Sequence, residues 1–233
     1  MDVAPPENTR CGNRSPALDA SAVLRVGCHP HLPIQRLLAF LGALGLHDPR
    51  LETRILHDRP EEQLRRLDGG ELDVAILHDA GARPDVESEP VFPGEPLAAF
   101  LPLAHPLTAL RALHPSDLLD VDLVIFPRAE DPALFDHLLA EIDDGTYRFR
   151  GIVETPGAHV RDVLLEVARG RGIAIGPRSL AELSDARAIV ARRELDPPLT
   201  MPDTVLAWRT NPPQVLQQAL SSVRDVARHL RRG

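Results

Sequence analysis

The strongest constraint on the fold is a regular alternation of short apolar runs with helical stretches, joined by brief polar turns. Strand-like runs occupy residues 23–27, 51–56 and 72–77, and leucines recur at helical spacing between them. A β-α-β-α-β order with short connections is typical of a parallel sheet with right-handed crossovers. The first third of the chain therefore predicts an α/β unit.

The second half repeats this plan without any sequence repeat of fixed period. Asp131 and Thr155, each followed by proline, are predicted to begin helices there, and Pro213 opens a predicted final helix. We therefore predict an α/β fold of two similar units. The strand-like runs of the second half are 96–103, 121–127, 149–154, 172–177 and 203–209.

Charge and composition exclude several classes of function. The formal net charge is −8, and all 26 basic residues are arginine. A negative chain is poorly suited to holding a phosphate backbone, and without lysine there is no P-loop lysine or Schiff-base lysine. Residues 1–22 have no apolar core of a signal peptide, and no apolar run approaches the length of a membrane span. We expect a cytoplasmic protein that contacts neither membrane nor nucleic acid directly.

Several segments, in this order, resemble one family. The most specific are GGELDVAIL at 69–77, LAHPL at 103–107 and ARGRGIAIGP at 168–177, with LRVG before them and VLAWR after them. Together they resemble the effector-binding domain of LysR-type transcriptional regulators, over about residues 23–230. The resemblance implies a type 2 periplasmic-binding-protein fold, in which two Rossmann-like subdomains are joined by two crossover strands and an effector binds in the cleft.

The resemblance also implies a domain organisation. Residues 1–22 are predicted to be a flexible arm, 23–93 with 210–233 to form subdomain I, and 94–209 to form subdomain II. The crossings are placed near 92–95 and 208–212. The family normally opens with a DNA-binding winged helix-turn-helix, and no such unit fits the proline-containing residues before the first strand. We expect no DNA-binding head in this chain.

The family pairs such domains side by side. The first helix, predicted at 33–44, is the natural partner surface, and its exposed apolar positions are expected to include Phe40. We therefore expect a homo-oligomer, most simply a dimer.

Candidate ligand-binding residues follow from the position of the strands. In open parallel sheets, ligands lie beyond the carboxyl ends of strands, where helix N-termini favour anions. Histidine and arginine donors there suit a carboxylate. The predicted effector-binding residues are Cys28, His29, His31, Arg59, His78, Arg128 and Thr155.

The cluster Cys28, His29 and His31 has three interpretations. It is a pocket for an anionic or polar effector, a transition-metal site completed by His57 and His78, or an ordinary turn with a small buried cysteine. The spacing of the histidines matches no recognised zinc finger. We predict effector binding, with no metal and no cofactor.

No nucleophile motif and no glycine-rich dinucleotide loop occurs in the chain. The predicted function is therefore a non-catalytic sensor that binds a small anion, such as a carboxylate. The alternatives are a metal-responsive sensor, or an enzyme or solute-binding protein built on the same cleft fold, with His29 or His31 as the base of an enzyme.

Overall fold

The computed structural model describes residues 22–29, 32, 34–43, 51–142, 148–157, 159–182, 186–212, 216, 217, 220, 224 and 228. The predicted N-terminal arm lies outside this part of the chain, except for Ala22 at the start of the first strand. No helix within the described residues is long and apolar enough to cross a membrane.

From β1 to β3 the described residues form strands and helices in the alternating order predicted from the sequence. The helices are α1 (Ile34–Ala43), α2 (Pro60–Asp68), α3 (Pro132–Ile142), α4 (Val160–Ala168) and α5 (Ala186–Ile189). The strands are β1 (Ala22–Cys28), β2 (Leu51–His57), β3 (Val74–Leu77), β4 (Val86–Phe92), β5 (Leu97–Pro102), β6 (Ala112–Leu113), β7 (Asp122–Ile125), β8 (Gly151–Glu154), β9 (Ala174–Pro177), β10 (Val190–Leu195) and β11 (Thr204–Arg209).

The first unit is a five-stranded sheet in the order β2-β1-β3-β11-β4. Strands β1, β2 and β3 are parallel, as the β-α-β-α-β pattern predicts, whereas β11 runs antiparallel to both β3 and β4. One face packs against α1 and against Leu216 and Leu220 of the C-terminal segment, and the other packs against α2. This sheet is therefore buried on both faces, which explains the fully buried run of β3.

The second unit is built from β5 and its neighbours. A four-stranded sheet has the order β6-β10-β5-β9, and the parallel pair β7-β8 joins it through a bridge between Leu123 and Ile173. Alternate residues of β5 face opposite sides, so that α3 covers one face of the unit and α4 with α5 the other. The predicted fold of two similar α/β units is confirmed.

Two crossover segments connect the units and run side by side. The backbone N–H of Gly94 donates to Asp203 Oδ1 at 2.9 Å, and that of Met201 donates to the carbonyl of Glu95 at 2.9 Å. Leu97 N–H also donates to the carbonyl of Leu199 at 2.8 Å. We refer to residues 93–96 and 199–203 as the paired crossovers.

Strand β11 bears on the predicted domain boundaries. The sequence places 94–209 in subdomain II and the second crossing near 208–212, but β11 pairs with β3 and β4 of the first sheet. The chain therefore returns to the first unit between β10 and β11, and we propose that subdomain I includes residues 204–209.

Two predictions about the helices are wrong in detail. Phe40, expected to be exposed on the first helix, is fully buried, because α1 turns it toward the sheet and leaves Ile34 and Leu38 outside. The helix predicted to begin at Thr155 begins at Val160, after an N-cap at His159.

Candidate functional site

A cavity of about 680 Å³ lies between the two units. The first unit contributes residues at the start of α1, and the second contributes β7, α3, the start of α4 and the loop after β9. Met201, in one of the paired crossovers, completes the lining. The cavity therefore contacts both units and a segment that joins them.

Two helices point their N-terminal ends at this cavity. Ile34 and Gln35, the first two residues of α1, line it, as do His159, the N-cap of α4, and the first turn of α4. The first backbone N–H groups of a helix have no intrahelical acceptor and carry the positive end of the helix dipole. Helix α1 follows β1 and helix α4 follows β8, so each N-terminus lies at the carboxyl end of a parallel strand of its own unit.

Most of the lining is apolar. Its polar side chains are Gln35, His159, Arg161, Asp162 and Ser179. Its apolar side chains are Leu32, Ile34, Val124, Ile125, Phe126, Leu134, Leu138, Val160, Val163, Ile175, Leu180 and Met201, together with Pro177.

The polar side chains differ in how far they are engaged. Ser179 donates its hydroxyl to Glu95 Oε1 at 2.9 Å, in one of the paired crossovers. Arg161 is exposed and forms no ion pair with another residue in the described part of the chain. The guanidinium of Arg161 is therefore available to a ligand, and the hydrogen atom of the Ser179 hydroxyl is not.

Cys28, one of the predicted site residues, is a core residue. It is fully buried at the end of β1, and its Sγ lies 3.2 Å from His57 Nδ1. Burial, with a smaller contribution from the charge of Asp58, raises the pKa of the Cys28 thiol to about 11. The thiol is neutral at physiological pH.

His29 and His78 are brought together by the parallel strands β1 and β3. Their ring centroids are 4.5 Å apart, with the planes tilted by 46°. His29 is buried. His31 lies outside the described residues.

Arg59, Arg128 and Thr155 each have protein partners. Arg59, before α2, donates to the carbonyl of Ala129 at 3.3 Å and lies 4.0 Å from the carboxylate of Glu130, so it reaches from the first unit to the second. Arg128 pairs with Asp136 through two hydrogen bonds of 2.8 and 2.5 Å. Thr155 is buried and donates its hydroxyl to the carbonyl of Gly157 at 2.7 Å.

None of the six described residues among the predicted set lines the cavity. Their assignment to effector binding stays a prediction. Three polar residues of the lining were not predicted from the sequence: Gln35, Arg161 and Ser179. The sequence does indicate where Arg161 lies. Acidic residues are favoured in the first turn of a helix, and Asp162 in HVRD is such a residue, so the N-cap is better placed at His159 than at Thr155.

The described residues contain no group of three or more His, Cys, Asp or Glu side chains placed to hold a metal ion. Cys28, His57, His29 and His78 belong to this part of the chain, whereas His31 does not. The pairs that they form do not extend to a third ligand among the described residues.

Comparison with protein families is decisive for the identity of the domain. The family model described as the LysR substrate binding domain matches residues 19–230, nearly the whole chain. The chain belongs to the LysR substrate-binding domain family. This LysR domain is the effector-binding domain of transcriptional regulators, and no curated protein is significantly similar to it in sequence.

Solved structures agree with the family assignment. The reduced form of the OxyR regulatory domain from Pseudomonas aeruginosa is 22% identical, with a TM-score of 0.72, and the match covers 91% of this LysR domain and 97% of that chain. The BenM effector-binding domain with its effector benzoate is 19% identical, with a TM-score of 0.74, and the match covers 90% and 94%.

HinK, a LysR family transcriptional regulator from Pseudomonas aeruginosa, is 19% identical, with a TM-score of 0.69, and the match covers 90% of this LysR domain and 70% of HinK. At such identities the likeness concerns the fold. The fold of this LysR domain is that of the type 2 periplasmic binding proteins, as the resemblance implied.

Proposed function

We propose that this LysR domain senses a small anionic effector bound in the cavity between its two units. The observation that carries the proposal is the meeting of two helix N-termini, those of α1 and α4, at one cavity that is also lined by the exposed Arg161. Each helix terminus favours an anion by about 0.3–1 kcal/mol, and a hydrogen bond to a charged group contributes about 1.5–3 kcal/mol.

Effector binding would change the relative stability of two arrangements of the units. A ligand shifts such an equilibrium only by its difference in affinity for the two states. The cavity is lined by both units, so its lining changes when they move. The proposed sensor therefore needs no catalytic step, and we assign none to it.

Two anchoring side chains, Arg36 and Ser179, would transmit this change to the paired crossovers through hydrogen bonds. On the first unit Arg36, next to Gln35, donates to the carbonyl of Pro93 at 2.7 Å and to the hydroxyl of Thr204 at 3.0 Å. On the second unit Ser179 donates to Glu95. Each anchor is a cavity residue or the neighbour of one, which supports a link between occupancy and crossover geometry.

The anion proposal is tested at the exposed Ile34, in the first turn of α1. Ile34→Glu places a negative charge at the helix N-terminus, whereas Ile34→Gln changes the side chain without charge. Leu165→Glu, on the exposed face of α4 and outside the lining, is the control. A panel of carboxylic acids is screened on the wild type by thermal shift, and the best binder is titrated by calorimetry.

We expect Ile34→Glu to weaken binding of that acid about tenfold. Like charges about 4 Å apart oppose each other by about 1 kcal/mol in water and by about 4 kcal/mol near a protein surface, and a factor of ten corresponds to about 1.4 kcal/mol. Ile34→Gln and Leu165→Glu should leave the Kd within about threefold of wild type, a difference below 1 kcal/mol. Equal affinity of Ile34→Glu and Ile34→Gln would argue against an anion at this helix terminus.

We also propose that α1 forms the contact between copies of the domain. Ile34 and Leu38 lie one helical turn apart and are 58% and 54% exposed, so they form an adjacent apolar pair on the outer face of α1. Leu38→Glu should shift the oligomer to monomer in concentration-dependent size exclusion, and Leu103→Glu, on the second unit, should not. An unchanged elution of Leu38→Glu would remove α1 from the contact.

Direct nucleic-acid binding by this chain is not part of the proposal. A net charge of −8 opposes the counterion release that drives DNA association. In a gel-shift assay at low salt we expect no retardation of double-stranded DNA. Membership of a transcriptional regulator family supports a cytoplasmic location.

A further inference from the structure

We infer that the effector is a monoanion with a large apolar body, such as a medium-chain or two-ring carboxylate, rather than a small polyanion. The inference rests on the proposed function, because it takes the cavity as the effector site. The inference specifies the size, the charge and the polarity of the effector.

The volume of the cavity sets the size. Pockets of roughly 300–1,000 Å³ accommodate drug-sized ligands and bury most of their surface. At about 680 Å³ this cavity lies in the middle of that range. A single-ring or short-chain acid would leave much of the lining in contact with water.

The walls set the polarity. Besides the two helix N-termini, the lining consists mostly of apolar side chains from β7, α3 and β9, including Val124, Leu138 and Ile175, and of Phe126 directly after β7. These side chains belong to the cores of the second unit, so they offer the ligand fixed apolar surface without polar partners. A hydroxylated or multiply charged ligand would lose hydration there without forming hydrogen bonds in return.

The lining side chains set the charge. Among the described lining residues, Arg161 is the single arginine, and the neighbouring Asp162 contributes a carboxylate. A second or third negative charge on the ligand would therefore meet no further arginine in this described lining and would face Asp162. The Ser179 hydroxyl is committed to Glu95. Arg161, the Gln35 amide and the helix N–H groups thus provide for one anionic head.

The test measures Kd by calorimetry on the full chain, with defined acids below their aggregation concentrations. The apolar series is hexanoate, octanoate, decanoate and 2-naphthoate, and the polar series is succinate and citrate. We expect the Kd of the alkyl acids to fall about fourfold per methylene, and thus roughly 250-fold from hexanoate to decanoate. Succinate and citrate should bind more weakly than octanoate.

Two matched variants locate the bound alkyl chain. Val163 and Val121 are both half-buried against the core of the second unit, and of the two it is Val163 that lines the cavity. Val163→Thr should weaken decanoate binding about three- to fivefold, the effect expected for replacing a buried methyl by a hydroxyl. Val121→Thr should leave decanoate binding unchanged, and circular dichroism reports whether each variant is folded.

The outcomes separate this inference from the proposed function. Tight binding of succinate or citrate that Ile34→Glu weakens about tenfold, with no gain along the alkyl series, would overturn the inference and leave the anion sensor standing. Decanoate binding that is equal in Val163→Thr and Val121→Thr would also overturn it, because the chain would then lie elsewhere. Failure of every acid to bind at millimolar concentration would count against both.

Discussion

At the residue scale, the clearest structural ion pair joins Arg25 of β1 to Asp73, just before β3. Asp73 accepts from the guanidinium at 2.7 and 3.0 Å and from the backbone N–H of Arg25 at 2.8 Å. The Asp73 side chain is 4% exposed, whereas that of Arg25 is 37% exposed and can be rehydrated. The pair therefore fixes the register of two neighbouring strands.

We predict that Asp73→Ala lowers the free energy of unfolding by about 2 kcal/mol, because it removes three acceptor contacts from a mostly buried position. The matched control is Asp68→Ala, which removes a half-exposed partner of Arg83 and should change stability by less than about 0.5 kcal/mol. Urea unfolding at neutral pH measures both. Equal values for the two variants would contradict the structural role of Asp73.

Cys28 provides a second prediction at this scale. Because burial raises the pKa of its thiol to about 11, Cys28 should react with Ellman's reagent at pH 8 only when the protein unfolds. A Cys11→Ser background leaves Cys28 as the single thiol. Rapid reaction of the native variant would show that the site opens to solvent.

The sign of the linkage is also testable in that background. The unfolded thiol ionises near its ordinary pKa of 9.0, whereas the folded thiol ionises near 11. The contribution of the neutral thiol to stability is therefore complete below pH 9 and is lost as pH rises from 9 to 11. Cys28→Ala should weaken this part of the pH dependence.

The sequence located these residues but not their partners. Cys28 and His57 were each placed after a strand, yet their contact depends on the parallel register of β1 and β2, which pairs these two positions. The pairing of Arg128 with Asp136 depends on how α3 is turned against the loop before it. Tertiary geometry determines which side chains pair across a long sequence separation, and local sequence patterns do not contain this information.

At the element scale, helix α3 begins with the N-cap predicted for Asp131. The backbone N–H of Leu134 donates to Asp131 Oδ1 at 3.0 Å, and the Asp131 side chain is buried. Burial, with a smaller contribution from the charge of Asp79, raises the pKa of the Asp131 carboxyl. Asp131 therefore stabilises α3 as its N-cap, although burial makes the charge of its carboxylate unfavourable.

We predict opposite effects of two substitutions at this cap. Asp131→Ala should destabilise the protein by about 1 kcal/mol at pH 7, because it leaves the N–H of Leu134 without its acceptor. Asp131→Asn retains an acceptor and removes a buried charge, so it should be neutral or stabilising. Thermal unfolding compares both variants with the wild type.

The pH dependence of this difference has a defined sign. A raised carboxyl pKa means that the folded protein holds the proton more tightly than the unfolded chain. The corresponding stability is present below the ordinary pKa of 3.8 and is lost as pH rises through the folded value. The advantage of Asp131→Asn over the wild type should therefore shrink on acidification, and an advantage that grows instead would contradict the burial argument.

Elements were predictable where their pattern is local and apolar. The order of β1, α1, β2, α2 and β3 was predicted because each element carries its own periodicity. Strand β4 was missed, since the sequence VESEPVF contains two glutamates and Pro90, which an edge strand tolerates. Strand β10 was missed for a similar reason, because VARREL carries Arg192 and Arg193 inside a strand.

At the scale of the whole molecule, the paired crossovers approach each other too closely for a side chain at Gly94. A Cβ atom there would lie 1.7 Å from the carbonyl oxygen of Met201. A Cβ atom added at Gly42, on the open face of α1, would meet no atom of the described residues within 4 Å. Substitutions at Gly94 and Gly42 therefore distinguish the steric constraint between the crossovers from the effect of helix propensity.

We predict that Gly94→Ala destabilises the protein by about 3 kcal/mol or more, because the two backbones must separate and lose their hydrogen bonds. Gly42→Ala should stabilise it by up to about 0.5 kcal/mol, less than in a helix interior, because Gly42 lies in the last turn of α1. Urea unfolding gives both values, and small-angle scattering reports whether the units of Gly94→Ala separate. A Gly94→Ala protein as stable as the wild type would show that the crossovers are not tightly paired.

The position of β11 in the first sheet also governs the order in which the protein can assemble during synthesis. Strands β3 and β4 have been synthesised once Phe92 is added, but the strand that pairs with both begins only at Thr204. Until then each has an unpaired edge, and such edges are open to pairing with other chains. The first unit to be translated is thus the last to be completed.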